Sequence, residues 1–343
     1  MLLVIDGCTG VSTHYRPGVP EPEESEMEHL GDSHPTWTRD GAQLAFVSGP
    51  PGRRIIFSLY PGKPAEPRAS GSLGDQEHPS WSPDGRFIVC VVGREADRDL
   101  YLLPSLPEAP VRLTFGDALE DHPTWSPDGR WIAFLAHRSG RSNLHLMQPD
   151  GTAVRTIADD MAAEDQPTWS PDGDYLVFES NRSSGWNLSR YDVDRGQVTA
   201  LTDFSGSETN PAVSPDGRSV AFVWNQSGRE QIYMIDASGG VPTRLTTSAA
   251  NDSLPVWSPN GEWLAFLSDR DGGRDIYVMR KDGTALQRLT NSHRPKWHPG
   301  FRPNANGEDA WITFVESGPD DVFRIAAVTL SGDRMRLSDR VRM

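Results

Sequence analysis

Short apolar runs separated by Gly-, Pro- and Asp-rich turns recur along this chain, the signature of many short strands rather than long helices. The clearest runs lie at 44–46, 88–90, 132–134, 176–178, 220–222, 264–266 and 312–314, each closed by Phe or, once, by Cys90. Ahead of most of them stands an SPDG-like turn, in which Pro fixes φ and Gly is free to take φ > 0. Behind them come a second apolar run (LYLL at Leu100, IYMI at Ile232, IYVM at Ile276), a Gly- or Asp-rich turn, and a short last strand. That last strand reads RLT at Arg112, Arg244 and Arg288, ALT at Ala200 and RLS at Arg336. The stretch leading into the SPDG turn is also strand-like and carries a Trp, so each unit supplies four strands.

The units repeat. HPTWTRDG begins at His34, HPSWSPDG at His78, HPTWSPDG at His122 and QPTWSPDG at Gln166. NPAVSPDG follows at Asn210, LPVWSPNG at Leu254 and RPKWHPG at Arg294. Read on the prolines (Pro35, Pro79, Pro123, Pro167, Pro211, Pro255 and Pro295), five intervals are 44 residues and the last is 40. Four short strands in about 44 residues is the period of a propeller blade. A lone blade cannot bury both faces of its sheet, and packing blades around a ring explains one large aromatic per unit. Trp37, Trp81, Trp125, Trp169, Trp257 and Trp297 take that role, with Val213 substituting once. A solenoid would need polar capping repeats, and none is evident. The expected fold is all-β: one domain over 1–343, a seven-bladed β-propeller of four-stranded antiparallel blades, its repeats spanning 30–338.

The pattern P-x-W-S-P-D-G, then I-A-F, I-Y-x-M and R-L-T resembles the repeat of the bacterial TolB propeller and its relatives. The resemblance covers residues 30 to about 338 and implies the fold; fold alone does not assign an activity. Two departures stand out. About 30 residues precede the first motif, where TolB carries a separate α/β domain. The seventh unit has HPG in place of SPDG, and Phe314 lies 19 residues after Pro295 against 11 from Pro255 to Phe266, so FRPNANGE is expected as an eight-residue protrusion. The N-terminal VIDGCTGVST is similar to MIDASGGVPT at Met234, the outer half of a blade. Residues 1–29, including the Pro- and Glu-rich linker 17–28, are therefore expected to complete ring closure as a clasp between the chain ends.

Charge narrows the partners. Asp and Glu outnumber Lys and Arg by 48 to 33, giving a net charge of −15. Nucleic-acid affinity rests on neutralised phosphates, so an acidic chain with no basic block is a poor candidate, and an anionic membrane surface repels it as well. No apolar run approaches the length that spans a bilayer. The opening MLLVIDGCTG has no basic n-region, which points to the cytoplasm, or to the periplasm if a leader precedes it. Cys8 and Cys90 fall in no metal or redox spacing.

The sequence contains no G-x-S-x-G, H-E-x-x-H or P-loop signature. The residue before the repeat's Pro is more informative: His34, His78, His122, Gln166, Asn210, Leu254 and Arg294. In a propeller the first strand of each blade lines the channel, so these positions form a ring near one mouth. Carboxylates sit just upstream, at Asp32, Glu77, Asp121, Asp165, Glu208 and Asp252. Imidazoles with carboxylate or amide oxygens suit a divalent cation, with Zn²⁺ or Mn²⁺ ahead of Ca²⁺. His34, His78 and His122 are the candidate ligands, and Gln166, Asn210, Arg294, Asp121 and Asp165 the candidate binding residues. Against this stands the simpler reading that repeat duplication copied a His that caps a turn. Oligogalacturonate lyases hold a metal in a related propeller, but their ligands do not map onto these motifs. The expectation is a monomeric, non-enzymatic propeller that binds a protein or peptide partner through its top face and channel mouth. The alternative is a metal-binding propeller, a lyase or hydrolase acting on a carbohydrate or small anionic substrate.

Overall fold

The computed structural model describes residues 33–336 apart from short internal segments at 70–72, 95–96, 105–107, 139, 158–161, 184, 227, 293, 304–309 and 318–321. Seven four-stranded antiparallel sheets follow one another along the chain, each pairing its strands in sequence order. In the first blade these are Ser33–Trp37, Leu44–Ser48, Ile55–Leu59 and Glu66–Pro67. The innermost strands of the others are Gln76–Trp81, Leu119–Trp125, Glu164–Trp169, Ser207–Val213, Asp252–Trp257 and Lys296–Phe301. Successive innermost strands touch, and the last touches the first, so the ring is closed. The seven-bladed propeller expected from the repeat is the observed fold. Among the described residues no helix is long and apolar enough to cross a membrane.

The second strand of each blade is apolar on both faces because it is covered on both sides by neighbouring blades. Phe46, Phe178, Phe222, Phe266 and Phe314, the closing residues of the apolar triplets, are fully buried. Cys90 takes the same place in the second blade, buried and unpaired. Burial of such a side chain contributes about 1.5–3 kcal/mol. The apolar residues fall into clusters that lie between blades. One joins Ala45, Val47 and Ile56 of the first blade to Trp81, Ile88 and Cys90 of the second. Another joins Ala265 and Leu267 of the sixth to Ile312 and Phe314 of the seventh.

The repeated Trp adds a directional bond to that packing. The indole N–H of Trp81 donates to the Thr36 carbonyl of the preceding blade at 3.2 Å, Trp169 to Thr124 at 3.3 Å and Trp257 to Ala212 at 3.0 Å. Trp37 reaches back to the seventh blade, donating to Thr313 Oγ1 at 3.2 Å. Arg302 reinforces this seam: its Nε donates to the Gly41 carbonyl at 2.7 Å, and its guanidinium lies over the rings of both Trp37 and Trp311. Gly41 has φ +68°, and a Cβ there would meet the Pro303 carbonyl oxygen at 2.2 Å. Among the described residues every blade is one continuous stretch, and side chains close the ring. The clasp expected of residues 1–29 lies outside the described residues.

The SPDG turns repeat one hydrogen-bond scheme. In the second blade Ser82 Oγ donates to Asp84 at 2.6 Å, Asp84 accepts from the Arg86 amide, and Ser82 Oγ accepts from the Phe87 amide. The outer RLT strand has a purpose that periodicity alone does not reveal. In the sixth blade Arg288 reaches inward to Asp275 at 2.6 Å, while Thr290 Oγ1 accepts the Ile276 amide at 3.0 Å. In the second blade Arg112 and Thr114 do the same for Asp99 and the Leu100 amide.

The seventh unit differs from its sequence reading. Its innermost strand is KWHPGF, and the residue in the left-handed bulge is His298, not Arg294. The structural interval from Leu254 to His298 is thus 44 residues like all the others. Phe301, buried at the strand end, occupies the place of the repeated Trp, whereas Trp297 precedes the bulge and packs on Phe323. The extra length shrinks accordingly: Phe314 lies 15 residues after Pro299, four more than in the sixth unit. The protrusion expected from FRPNANGE begins with a buried Phe301, a bridging Arg302 and Pro303, and its last five residues, 304–308, fall outside the described residues.

Each innermost strand carries this bulge: His34, His78, His122, Gln166, Asn210, Leu254 and His298 have φ between 46° and 50°. A non-Gly residue there costs about 1–2 kcal/mol, least for Asn. Gln166 is exposed and offers a clean test. Gln166→Asn is expected to raise unfolding free energy by up to about 1 kcal/mol, and β-branched Gln166→Val to lower it by about 1–2 kcal/mol. Urea denaturation of the two variants against the parent checks the sign.

Candidate functional site

The bulges bring the ring residues together at one end of the channel. They lie near the starts of the innermost strands, on the face carrying the blade-to-blade connections. The rings of His34 and His78 are 4.4 Å apart edge to face, His78 and His122 stack at 4.4 Å, and His34 lies 5.0 Å from His298. Equivalent groups this close in a seven-fold ring sit only about 5 Å from its axis. The four imidazoles of the seventh, first, second and third blades therefore crowd the mouth along one arc. Gln166, Asn210 and Leu254 continue the ring; Gln166 is exposed and Asn210 buried.

The bulges are held by carboxylates. Asp121 Oδ1 accepts the His122 amide at 2.9 Å, and Asp165 Oδ1 accepts the Gln166 amide at 2.8 Å. The Asn210 amide instead donates to Glu179 at 2.7 Å. Asp121 also hydrogen-bonds His78 Nδ1 and lies 3.3 Å from Arg98, which in turn holds Glu77 at 3.1 Å beside Arg54. Burial pushes the Asp121 carboxyl up, but His78, His122 and Arg98 outweigh it and leave the group well below the usual carboxylate range. Burial, then the neighbouring imidazoles of His78, His298 and His122 and the charge of Arg54, hold His34 far below an ordinary histidine. Burial, His78, Arg274 and His122 lower His298 to about 4. His34 and His298 are thus neutral at physiological pH, while Asp121, against His78 and His122, is ionised.

The upstream carboxylates are not one set. Side chains alternate across a strand, so Glu77, Asp121 and Asp165 flank the ring, whereas Glu208 and Asp252 lie one residue earlier, fully buried. The same earlier position is Gln76, Glu120, Glu164 and Lys296 in other blades, all buried. Asp32 lies outside the described residues. Lys296 pairs with Asp275 at 2.6 Å, and Asp252 with Arg270 at 2.8 Å. Burial raises Glu120 and Glu208 to about 7. Arg294 is not on the ring: it sits four residues before His298 and donates to the Ser317 carbonyl at 3.1 Å. Sequence reading missed His298, whose HPG matches the HP of the first three units directly. It also missed Arg54 and Arg98, which stand 20 residues after His34 and His78.

Comparison with known proteins follows the geometry. The profile of the TolB beta propeller domain matches residues 33–205 and 192–339. The chain belongs to this family. No curated protein matches it. Among solved structures, a TolB-designated protein from Agrobacterium tumefaciens is 27% identical, over 66% of this chain and 84% of that one, with a TM-score of 0.53. TolB from Acinetobacter baumannii is 24% identical over 71% of this chain and 62% of its own, at 0.55. A puromycin-hydrolyzing peptidase from Mycobacterium tuberculosis is 18% identical over 91% of this chain but only 54% of its own, at 0.72. The last two likenesses speak for the fold alone, so TolB family membership leaves the chemistry of the mouth to be argued from its own residues.

Two titrations with opposite signs are expected. His298, lowered when folded, contributes stability that is complete above about pH 6.5 and is lost as pH falls toward 4. His298→Asn should flatten that acid limb of the melting temperature relative to the parent. Glu208, raised when folded, destabilises progressively as pH rises from about 4.5 through 7. Glu208→Gln, which installs the residue the second blade carries at Gln76, should gain about 1–3 kcal/mol at pH 8 and almost nothing at pH 4.5. Denaturation at the two pH values measures both.

Proposed function

We propose that this TolB-family propeller is a non-enzymatic binding module that takes a protein or peptide partner on its top face, at the channel mouth. The observation that carries this reading is a set of buried polar atoms at the mouth with no hydrogen-bond partner among the described residues: Nδ1 of His122, Nδ1 of His298 and Oδ1 of Asn210. An unsatisfied buried polar group costs about 1–3 kcal/mol. An incoming polypeptide carries backbone N–H and C=O groups able to complete these bonds without a dedicated catalytic group. The rigid backbone supports the same reading. Seven bulges fix the ring residues before any partner arrives, and preorganisation limits the ordering cost of binding. The exposed Gln166 stands beside this set as an accessible amide.

The test is selection of a displayed peptide library on the purified chain in the presence of EDTA, followed by calorimetry on the enriched sequences. Selected peptides are expected to bind the parent and to bind a Gln166→Arg variant at least about tenfold more weakly, a difference of about 1.4 kcal/mol. Equal affinity for parent and variant would place binding away from the mouth. A library that yields no mouth-dependent sequence would reject the reading.

A further inference from the structure

The arc of imidazoles has a second property beyond polypeptide binding. His78, Asp121 and His122 each offer a ligand atom, and these three atoms lie within 4.8 Å of one another. The residues come from the innermost strands of adjacent blades, and their backbone is fixed by the bulges and by the Asp121–His122 amide bond at 2.9 Å. A second, independent observation points to a ligand here. Nδ1 of His122 is buried and lacks a hydrogen-bond partner among the described residues, although it lies 3.6 Å from Asp121 Oδ1. We propose that His78, Asp121 and His122 form a binding site for one divalent transition-metal ion of the zinc class at the channel mouth.

The donor set decides the class. Two imidazole nitrogens and one carboxylate oxygen are the three-ligand combination of open zinc sites, whose fourth position is left to water or a partner group. Calcium takes six to eight oxygen ligands, which this cluster does not offer. Manganese binds such nitrogen donors more weakly than zinc does. Bonds of about 2.0–2.2 Å require the three donor atoms to draw closer than their present spacing. Side-chain rotation supplies that movement, because the backbone at both histidines is already in place. Arg98, 3.3 Å from Asp121 Oδ1, opposes the site by its charge, and its bond to Glu77 at 3.1 Å, a carboxylate shared with Arg54, offsets that charge in part. His34, edge-on to the His78 ring, fences the site from the side of the first blade.

The experiment is metal titration of the full chain by calorimetry, with bound zinc counted by elemental analysis after desalting and cobalt substitution read as a visible absorption band. One equivalent of zinc per chain is expected, with weaker manganese binding and no calcium binding. His78→Asn and His122→Asn keep a residue tolerant of the left-handed bulge, as Asn210 shows in the fifth blade. Each should lose at least about a hundredfold in zinc affinity and the cobalt band, with an unchanged circular dichroism spectrum. His298→Asn, on the same arc but outside the ligand set, should bind zinc as the parent does. Absence of zinc binding to the parent overturns the site, and so does zinc binding that survives both His78→Asn and His122→Asn. If either variant fails to fold, cobalt spectra of Asp121→Asn decide, since exchange of an anionic carboxylate for a neutral amide must shift the band if Asp121 is a ligand. None of these readouts involves a peptide, so the fate of this site and that of the polypeptide-binding reading are separable.

Discussion

Face-to-face burial between blades is the constraint on which the rest depends. A four-stranded antiparallel sheet with apolar residues on both faces of its second strand is insoluble alone and stable only between two neighbours. In this chain Phe46, Phe222 and Phe266 have no exposed surface at all, and the cover over each comes from another blade. Such a system has no free end that is stable, so the seventh blade must find the first. The seam is made by Trp37, Thr313 and Arg302, which hold it through one indole bond, one guanidinium bond and one cation–π contact, with Trp311 stacking on the same guanidinium from within the seventh blade. The cluster joining Leu44 and Phe46 to Val315 and Ile325 supplies the apolar part of that seam.

Closing seven sheets around an axis forces the innermost strands together where there is least room. A regular strand would carry its side chains past the axis without turning them toward the mouth. The bulge interrupts the register between Glu77 and Ser80, and at the equivalent place in the other blades, and holds its central residue at positive φ. Strain repeated seven times is a substantial charge against stability, and it is met locally: Asp121 and Asp165 accept the amides that the bulge withdraws from the ladder. The carboxylates are therefore structural before they are chemical. Their second role arises because an acceptor placed to hold one bulge also faces the imidazole of the neighbouring blade, as Asp121 faces His78.

Much of this was legible in the sequence. A 44-residue period, one aromatic per unit and SPDG turns are direct consequences of blade geometry, and they led to the correct architecture and to His34, His78 and His122 as ring residues. The seventh unit was misread because two prolines, Pro295 and Pro299, both follow a candidate ring residue, and Trp297 sits beside the wrong one. Physical period was the better guide than residue identity: the blade has to span the same distance, so the 44-residue step to His298 holds even though Phe replaces Trp. The grouping of the upstream acids failed for a simpler reason. A shift of one residue in a strand moves a side chain to the opposite face, which separates Asp121 at the mouth from Glu208 between blades.

What periodicity could not supply is the pairing across blades. The ion pairs of Arg98 with Glu77 and Asp121 join residues about 20 apart, within one unit and across to the next, and no local pattern marks them. The same holds for Lys296 and Asp275, a fully buried pair with Ser292 and the Arg294 carbonyl completing the ammonium's bonds. These pairs differ from blade to blade while the apolar frame does not. The frame sets where a residue stands, and the residue chosen there sets what that point of the ring can bind. Four neighbouring imidazoles on one arc, amides at Gln166 and Asn210, and an apolar Leu254 make the mouth asymmetric although the scaffold beneath it is seven-fold. An asymmetric mouth on a symmetric ring distinguishes the orientation of whatever enters it, a property that identical repeats alone cannot give.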